Sequence, residues 1–130
     1  MVSVDTNIVV RLLVNDEPEQ TRTAAKLFST NQVYITKTVV LETEWILRGV
    51  YKLDRAHVNS ALKALLSLEN VHVEDSSTLF SALEAHALGL DFADALHLAS
   101  SHRADTFATF DAKLRTKAKK LQVKPQVVSP

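Results

Sequence analysis

Four of the chain's fifteen acidic residues fall where an α/β protein concentrates its chemistry. Asp5 closes the short β-branched run Val2-Ser3-Val4, and Asp111 closes the alternating run Thr106-Phe107-Ala108-Thr109-Phe110. Glu42 and Asp94 each lie near the start of a helical pattern. In an open α/β sheet, strand C-termini and helix N-termini share one edge, so these four carboxylates are expected to converge. Carboxylates crowded together raise one another's pKa values unless a cation neutralises them. An all-oxygen set in a chain with no cysteine selects a hard ion, Mg²⁺ or Mn²⁺, over zinc or copper. One such ion, or a pair roughly 3.5–4 Å apart, activates water and stabilises a phosphoryl transition state.

Each candidate has a plainer reading. Asp5-Thr6-Asn7 is also good helix-capping sequence, and Asp111 could merely cap the basic helix after it. Asp91 and Asp94 have capping-box spacing, which explains Asp91 well and Asp94 only as the reaching acid of the box. His97 follows Asp94 by one turn on the same face and invites a role as ligand or general base. A hydrogen-bonded histidine near the core is the better expectation for it, because four acids already suit a hard cation. His57, His72, His86 and His102 have no partner at metal-ligand spacing. Trp45 reads as packing or interface rather than as a base-stacking ring.

The elements that must position these groups are mainly helices separated by short strands. Asn7 to Val14 carries Ile8, Val9, Leu12 and Leu13 at helical spacing, and Asn15-Asp16-Glu17-Pro18 ends it. Pro18 suits the first turn of a second helix with Thr21, Ala24, Ala25 and Phe28 on one face. Val33-Tyr34-Ile35 reads as a strand, and Thr38 as the N-cap of a helix with Glu42 in its first turn or so. Asp54 caps a helix through Val58, Leu62, Leu65, Leu66 and Leu68, and Val71-His72-Val73 is a third strand. Ser76 or Ser77 opens a helix stopped by Gly89. Asp91 opens a short one through Asp94, Ala95, Leu96 and Leu98, and a basic helix runs from about Ala112 to Lys120. The tail could add an edge strand near Val127. The alternation predicts an α/β fold, a three-layer α/β/α sandwich around a short, mainly parallel sheet covered on both faces.

Composition bounds the function. At 130 residues and 46% hydrophobic content, the sequence predicts a single domain over residues 1–130. Fifteen basic and fifteen acidic residues leave no net charge, so general polycation binding to nucleic acid is not indicated and any such role needs a local patch. The absence of cysteine suits a reducing compartment. No apolar run approaches the roughly 18 residues of a membrane span, and no secretory pattern opens the chain, so a soluble cytoplasmic protein is expected.

Val-Asp-Thr-Asn at the start, Val-Val-Leu-Glu-Thr-Glu-Trp-Ile-Leu around Glu42, Phe-Ala-Asp-Ala-Leu-His-Leu-Ala around Asp94 and Phe-Ala-Thr-Phe-Asp at Asp111 resemble the PIN domain, specifically the VapC-type toxins of bacterial toxin–antitoxin pairs. The resemblance covers nearly the whole chain in the right order. It implies a metal-dependent endoribonuclease, with one or two Mg²⁺ or Mn²⁺ ions, inhibited by a VapB-type antitoxin and usually a homodimer. Carried over by position, Asp5, Glu42, Asp94 and Asp111 match the acidic quartet, as catalytic residues and metal ligands. Thr109 matches the hydroxyl residue two before the last acid, and Thr6, Asn7, Asp91 and His97 are candidates for the surrounding shell. Glu44 competes with Glu42 but lies off the motif position, and reads as solvated or partner-facing.

Lys113, Arg115, Lys117, Lys119, Lys120 and Lys124 follow Asp111 with no acid among them. A solvated basic face is the default, since lysines suit a helix C-terminus. Beginning as it does at the proposed site, the run through Lys113, Arg115 and Lys117 is also a candidate contact for RNA phosphates. The helices bearing Trp45 and Tyr51, or Leu62 and Leu66, are candidates for a dimer interface.

Other classes fit less well. A phospho-acceptor receiver domain needs an Asp ending a central strand and a Lys ending a later one, which neither mid-chain strand supplies. A phosphatase with an N-terminal Asp nucleophile normally has a second Asp two residues on, where this chain has Asn7. A PIN-like module that binds RNA or protein without cutting is the nearest alternative, and the intact quartet argues against it.

Overall fold

A computed structural model describes all residues from Met1 to Pro130. It contains seven helices and five short strands, and every strand pair is parallel. The α/β class expected from the alternation is what forms. The strands fall into two sheets, however, not the single sheet expected: one of three strands and one of two. Residues Met1–Ser76 make one compact unit and Ser77–Pro130 a second.

The first unit runs β1 (Val2–Ser3), α1 (Thr6–Leu13), α2 (Pro18–Thr30), β2 (Val33–Ile35), α3 (Lys37–Gly49), α4 (Arg55–Leu66) and β3 (Val71–Val73). β2 is central, pairing Val33 with Val2 on one side and with Val71 on the other. Two helices separate each strand from the next, as parallel pairing requires. Val33 and Ile35 are fully buried and Tyr34 between them is not, so even this central strand favours one face. Val9, Val10, Phe28, Val40, Leu47, Val58, Leu62 and Leu65 complete this core. Each such aliphatic or aromatic side chain contributes about 1.5–3 kcal/mol on burial. Leu62 and Leu66 are therefore core residues of the chain itself, so an interface on α4 would use its other side chains. Leu68, expected in α4, lies beyond its end and is exposed.

The second unit runs α5 (Ser76–Ala87), α6 (Phe92–Ser100), β4 (Thr106–Ala108), α7 (Ala112–Leu121) and β5 (Gln126–Val128). β5 is the edge strand expected near Val127, and it pairs with β4 from Thr106↔Gln126 to Ala108↔Val128. Leu79, Ala82, Leu83, Leu90, Phe92, Ala95, Leu98, Leu114 and Ala118 are buried here. Gly89, at φ +116°, takes the left-handed conformation that ends α5. His86 is buried with its ring edge-on to Phe92, the centroids 5.5 Å apart.

Capping explains most boundaries. Asp5, Asp54, Asp91 and Asp111 each accept a backbone N–H from the first turn of the helix they open. The helix around Glu42 departs from expectation, since Thr36 and not Thr38 is its N-cap. Both threonines offer the needed hydroxyl. The earlier start is favoured because the Lys37 N–H, which an N-terminus leaves without an intrahelical partner, donates to Glu74 Oε1 at 2.9 Å. Glu42 consequently sits in the second turn of α3. No helix is long and apolar enough to cross a membrane.

Candidate active site

Asp5 leaves β1 and caps α1, with Oδ1 accepting the Ile8 N–H at 3.1 Å. Its second oxygen has no partner in the protein. Thr6, the next residue, donates its hydroxyl to Glu42 Oε1 at 3.0 Å, which ties the start of α1 to α3. Within residues 1–76, then, Asp5 and Glu42 are neighbours linked through Thr6, and each carboxylate keeps one oxygen unengaged. Asn7 is exposed and its amide makes no hydrogen bond.

The second unit gathers Asp91, Asp94 and Asp111. Asp91 caps α6 by accepting the Asp94 N–H at 3.2 Å. Only that half of the capping box forms, because the Asp94 carboxylate accepts no hydrogen bond. Partial burial raises the pKa of Asp94 above the ordinary carboxylate range, and the charges of Asp91 and Asp111 add to the effect while His97 opposes it. His97 itself is exposed, which corrects the expectation of a histidine near the core. It forms no ring hydrogen bond, and its carbonyl accepts from Ser101 at 2.7 Å.

Asp111 is held on both sides. Its Oδ1 accepts the Leu114 N–H at 3.1 Å, and its own N–H donates to Thr109 Oγ1 at 3.1 Å. Thr109 is fixed in turn, its N–H bonded to the Val128 carbonyl at 3.0 Å and its carbonyl to the Arg115 guanidinium at 2.8 Å. Thr109 therefore supports the acid two residues on. Arg115 and Lys117 both have structural contacts, since the Lys117 ammonium donates to the Gly89 carbonyl at 2.9 Å. Lys113 is exposed with no partner.

No three histidine or acidic side chains stand close enough together to hold a metal ion as they are. The donor chemistry nonetheless suits a hard divalent cation. All the candidates are carboxylates, and Asp5, Glu42 and Asp111 each commit one oxygen to a protein hydrogen bond while keeping the other.

The PIN domain family model matches residues 2–120, a span that contains all four acids. The chain belongs to the PIN domain family. PIN domains have a nuclease-type fold and are in general metal-dependent nucleases. A comparison with curated proteins finds no match.

Two residues of this PIN domain escaped the sequence reading. Glu44 is not solvated: its side chain is 2% exposed and accepts from Arg48 Nε at 2.8 Å. The i,i+4 spacing of Glu44 and Arg48 was the available signal. Phe110, between Thr109 and Asp111, is 91% exposed. Its signal lay in the strand period. Side chains alternate, so Phe107, half-buried in β4, leaves Ala108 on the exposed face, and Phe110 two residues on, past the end of the strand, continues that exposed set.

Proposed function

We propose that this PIN domain is a metal-dependent endoribonuclease and the toxin of a type II toxin–antitoxin pair, hydrolysing RNA phosphodiester bonds in the cytoplasm. The observation that carries the reading is the state of the motif acids. Asp5 and Asp111 are fixed by helix capping with an oxygen to spare, Glu42 is oriented by Thr6, and the Asp94 carboxylate lies among like charges and accepts no hydrogen bond. Carboxylates kept in mutual repulsion are suited to a cation.

Asp5, Glu42, Asp94 and Asp111 are the proposed ligands for Mg²⁺ or Mn²⁺. A bound divalent ion supplies Lewis-acid polarisation of a phosphoryl oxygen and a more acidic water. The protein's own part is placement. The capping hydrogen bonds restrict Asp5 and Asp111 to narrow orientations, and the Thr6 hydroxyl does the same for Glu42. Asp91 keeps the Asp94 backbone in the first turn of α6 and adds negative charge beside it. Lys113, Arg115 and Lys117 on α7 offer positive charge to the RNA backbone. The proposed partners are a VapB-type antitoxin and a second copy of the chain.

The test is digestion of purified cellular RNA by the isolated chain with Mg²⁺, with Mn²⁺ and with chelator. Cleavage is expected with either metal and not with chelator. RNA binding without cleavage under any metal, from a folded preparation free of antitoxin, would replace the enzyme with a non-catalytic binding module.

A further inference from the structure

We infer that Phe110 is a base-stacking platform that seats one nucleotide of single-stranded RNA beside Asp111, with the phosphate backbone following the cationic side of α7. The inference rests on the nuclease reading and names how that site holds its substrate.

A phenylalanine that is 91% exposed forgoes most of the roughly 1.5–3 kcal/mol that burying such a side chain supplies. Its neighbours along the chain are polar or small. Thr109 and Asp111 flank it, Ala112 and Lys113 follow, and Thr106 and Ala108 are exposed without being large. Protein-binding surfaces are contiguous apolar areas, and the segment around Phe110 supplies no second large apolar side chain that is exposed. A nucleobase is a better match, since it offers one flat face to one ring.

Charge orders the rest. The carboxylates of Asp94 and Asp111 repel a phosphate at Phe110 but not the neutral face of a base. Beyond Asp111 the sign reverses along α7, where Arg115 and Lys119, one turn apart, share the face that borders β5. A groove of about 680 Å³ lies between α7 and β5, lined by Arg115, Lys119, Gln122, Lys124 and Gln126 among others. Its first residue, Arg115, is bonded at 2.8 Å to the carbonyl of Thr109, the residue before Phe110. The peptide between Thr109 and Phe110 thus meets the side chain that begins the groove. An aromatic face beside a positive groove is the arrangement by which proteins hold single strands, the groove tracking phosphates and the ring a base.

The experiment measures binding of single-stranded RNA oligonucleotides carrying 2-aminopurine at successive positions, in chelator so that cleavage does not compete. It compares the wild type with Phe110→Ala, Phe110→Leu and Phe110→Tyr. Side-chain exposure makes all three compatible with folding, and a thermal melt checks it. For the wild type, fluorescence is expected to be quenched at one position. The Ala and Leu variants are expected to bind about tenfold more weakly and lose the quench, while Tyr keeps both. The dependence of affinity on salt should stay as in the wild type, whereas Lys119→Ala, in the groove, should reduce its slope by about 0.7. With metal, Phe110→Ala should raise KM and leave kcat nearly unchanged. If the wild type cuts RNA and Phe110→Ala equals it in affinity and KM, stacking is wrong and the nuclease stands. If the wild type neither binds nor cuts RNA, the nuclease reading fails as well. A changed elution volume for Phe110→Ala at unchanged RNA affinity would overturn stacking in favour of a contact between copies.

Discussion

Asp5 has two duties that substitution can separate. Its charge is proposed for the metal, while its Oδ1 caps α1 through the Ile8 N–H at 3.1 Å. Asparagine ranks with aspartate as an N-cap, so Asp5→Asn keeps the hydrogen bond and removes the charge. The lost attraction to the helix dipole costs about 0.3–1 kcal/mol, towards the lower end for a carboxylate as exposed as Asp5. The Asn variant should therefore stay within about 0.5 kcal/mol of the wild type. Asp5→Ala loses the cap as well, at a typical cost of about 1 kcal/mol. For a 130-residue chain, that corresponds to a Tm lower by about 4 °C. Both variants should lose at least about 100-fold in metal-dependent cleavage, the upper range for residues that only support a ligand. Thermal melts followed by circular dichroism, beside RNA digestion with Mg²⁺, read the two effects separately. An Asn variant that melts like Ala would refute the capping argument, and one that cuts like the wild type would refute the assignment of Asp5 to the metal.

Three further outcomes follow from the same contacts. Thr6→Val removes the hydroxyl that orients Glu42 and should lower cleavage about 10-fold to 100-fold with little change in urea midpoint; unchanged kinetics would show that Glu42 needs no such support. Arg48→Ala leaves the Glu44 carboxylate, 2% exposed, without its Nε donor and should cost about 1–3 kcal/mol by urea unfolding, with Glu44→Leu in the same chain recovering much of it; a neutral single variant would refute the pairing. Asp16 has its pKa lowered first by the Tyr51 hydroxyl and then by the charge of Arg11. A depressed acid stabilises the fold above its unfolded pKa and loses that contribution as pH falls through the folded value. Urea midpoints measured downward from pH 6 through the acid range should therefore fall less steeply in Tyr51→Phe than in the wild type, and identical slopes would remove the link.

Local signals were legible in the sequence and distant ones were not. Asp5, Asp54, Asp91 and Asp111 announce helix starts because a cap is settled within three residues of itself. The β-branched residues of β2 and the valines of β3 mark those strands to the residue. Thr36 and Thr38 are equally good caps, and the choice between them involves Glu74, 37 residues away from the N–H it accepts. Strands of two or three residues carry too little pattern to state their partners, so the pairing of β4 with β5 in a sheet of its own was not readable. Leu62 and Leu66 repeat at helical spacing, which says that a face is apolar but not whether the chain covers it itself. At the candidate site the motif acids could be listed, whereas the Thr6 to Glu42 hydrogen bond and the exposure of His97 and Phe110 depend on how α1, α3, α6 and β4 are placed.

The most direct test is a Mn²⁺ titration of the folded chain, following free ion by electron paramagnetic resonance, on the wild type and on Asp5→Asn, Glu42→Gln, Asp94→Asn and Asp111→Asn. If the four carboxylates serve one centre, the wild type binds one or two ions and each single variant weakens that binding at least about tenfold, since each removes a charged oxygen ligand. Binding that all four variants leave intact, or no binding by the wild type, would contradict a metal centre built from these residues.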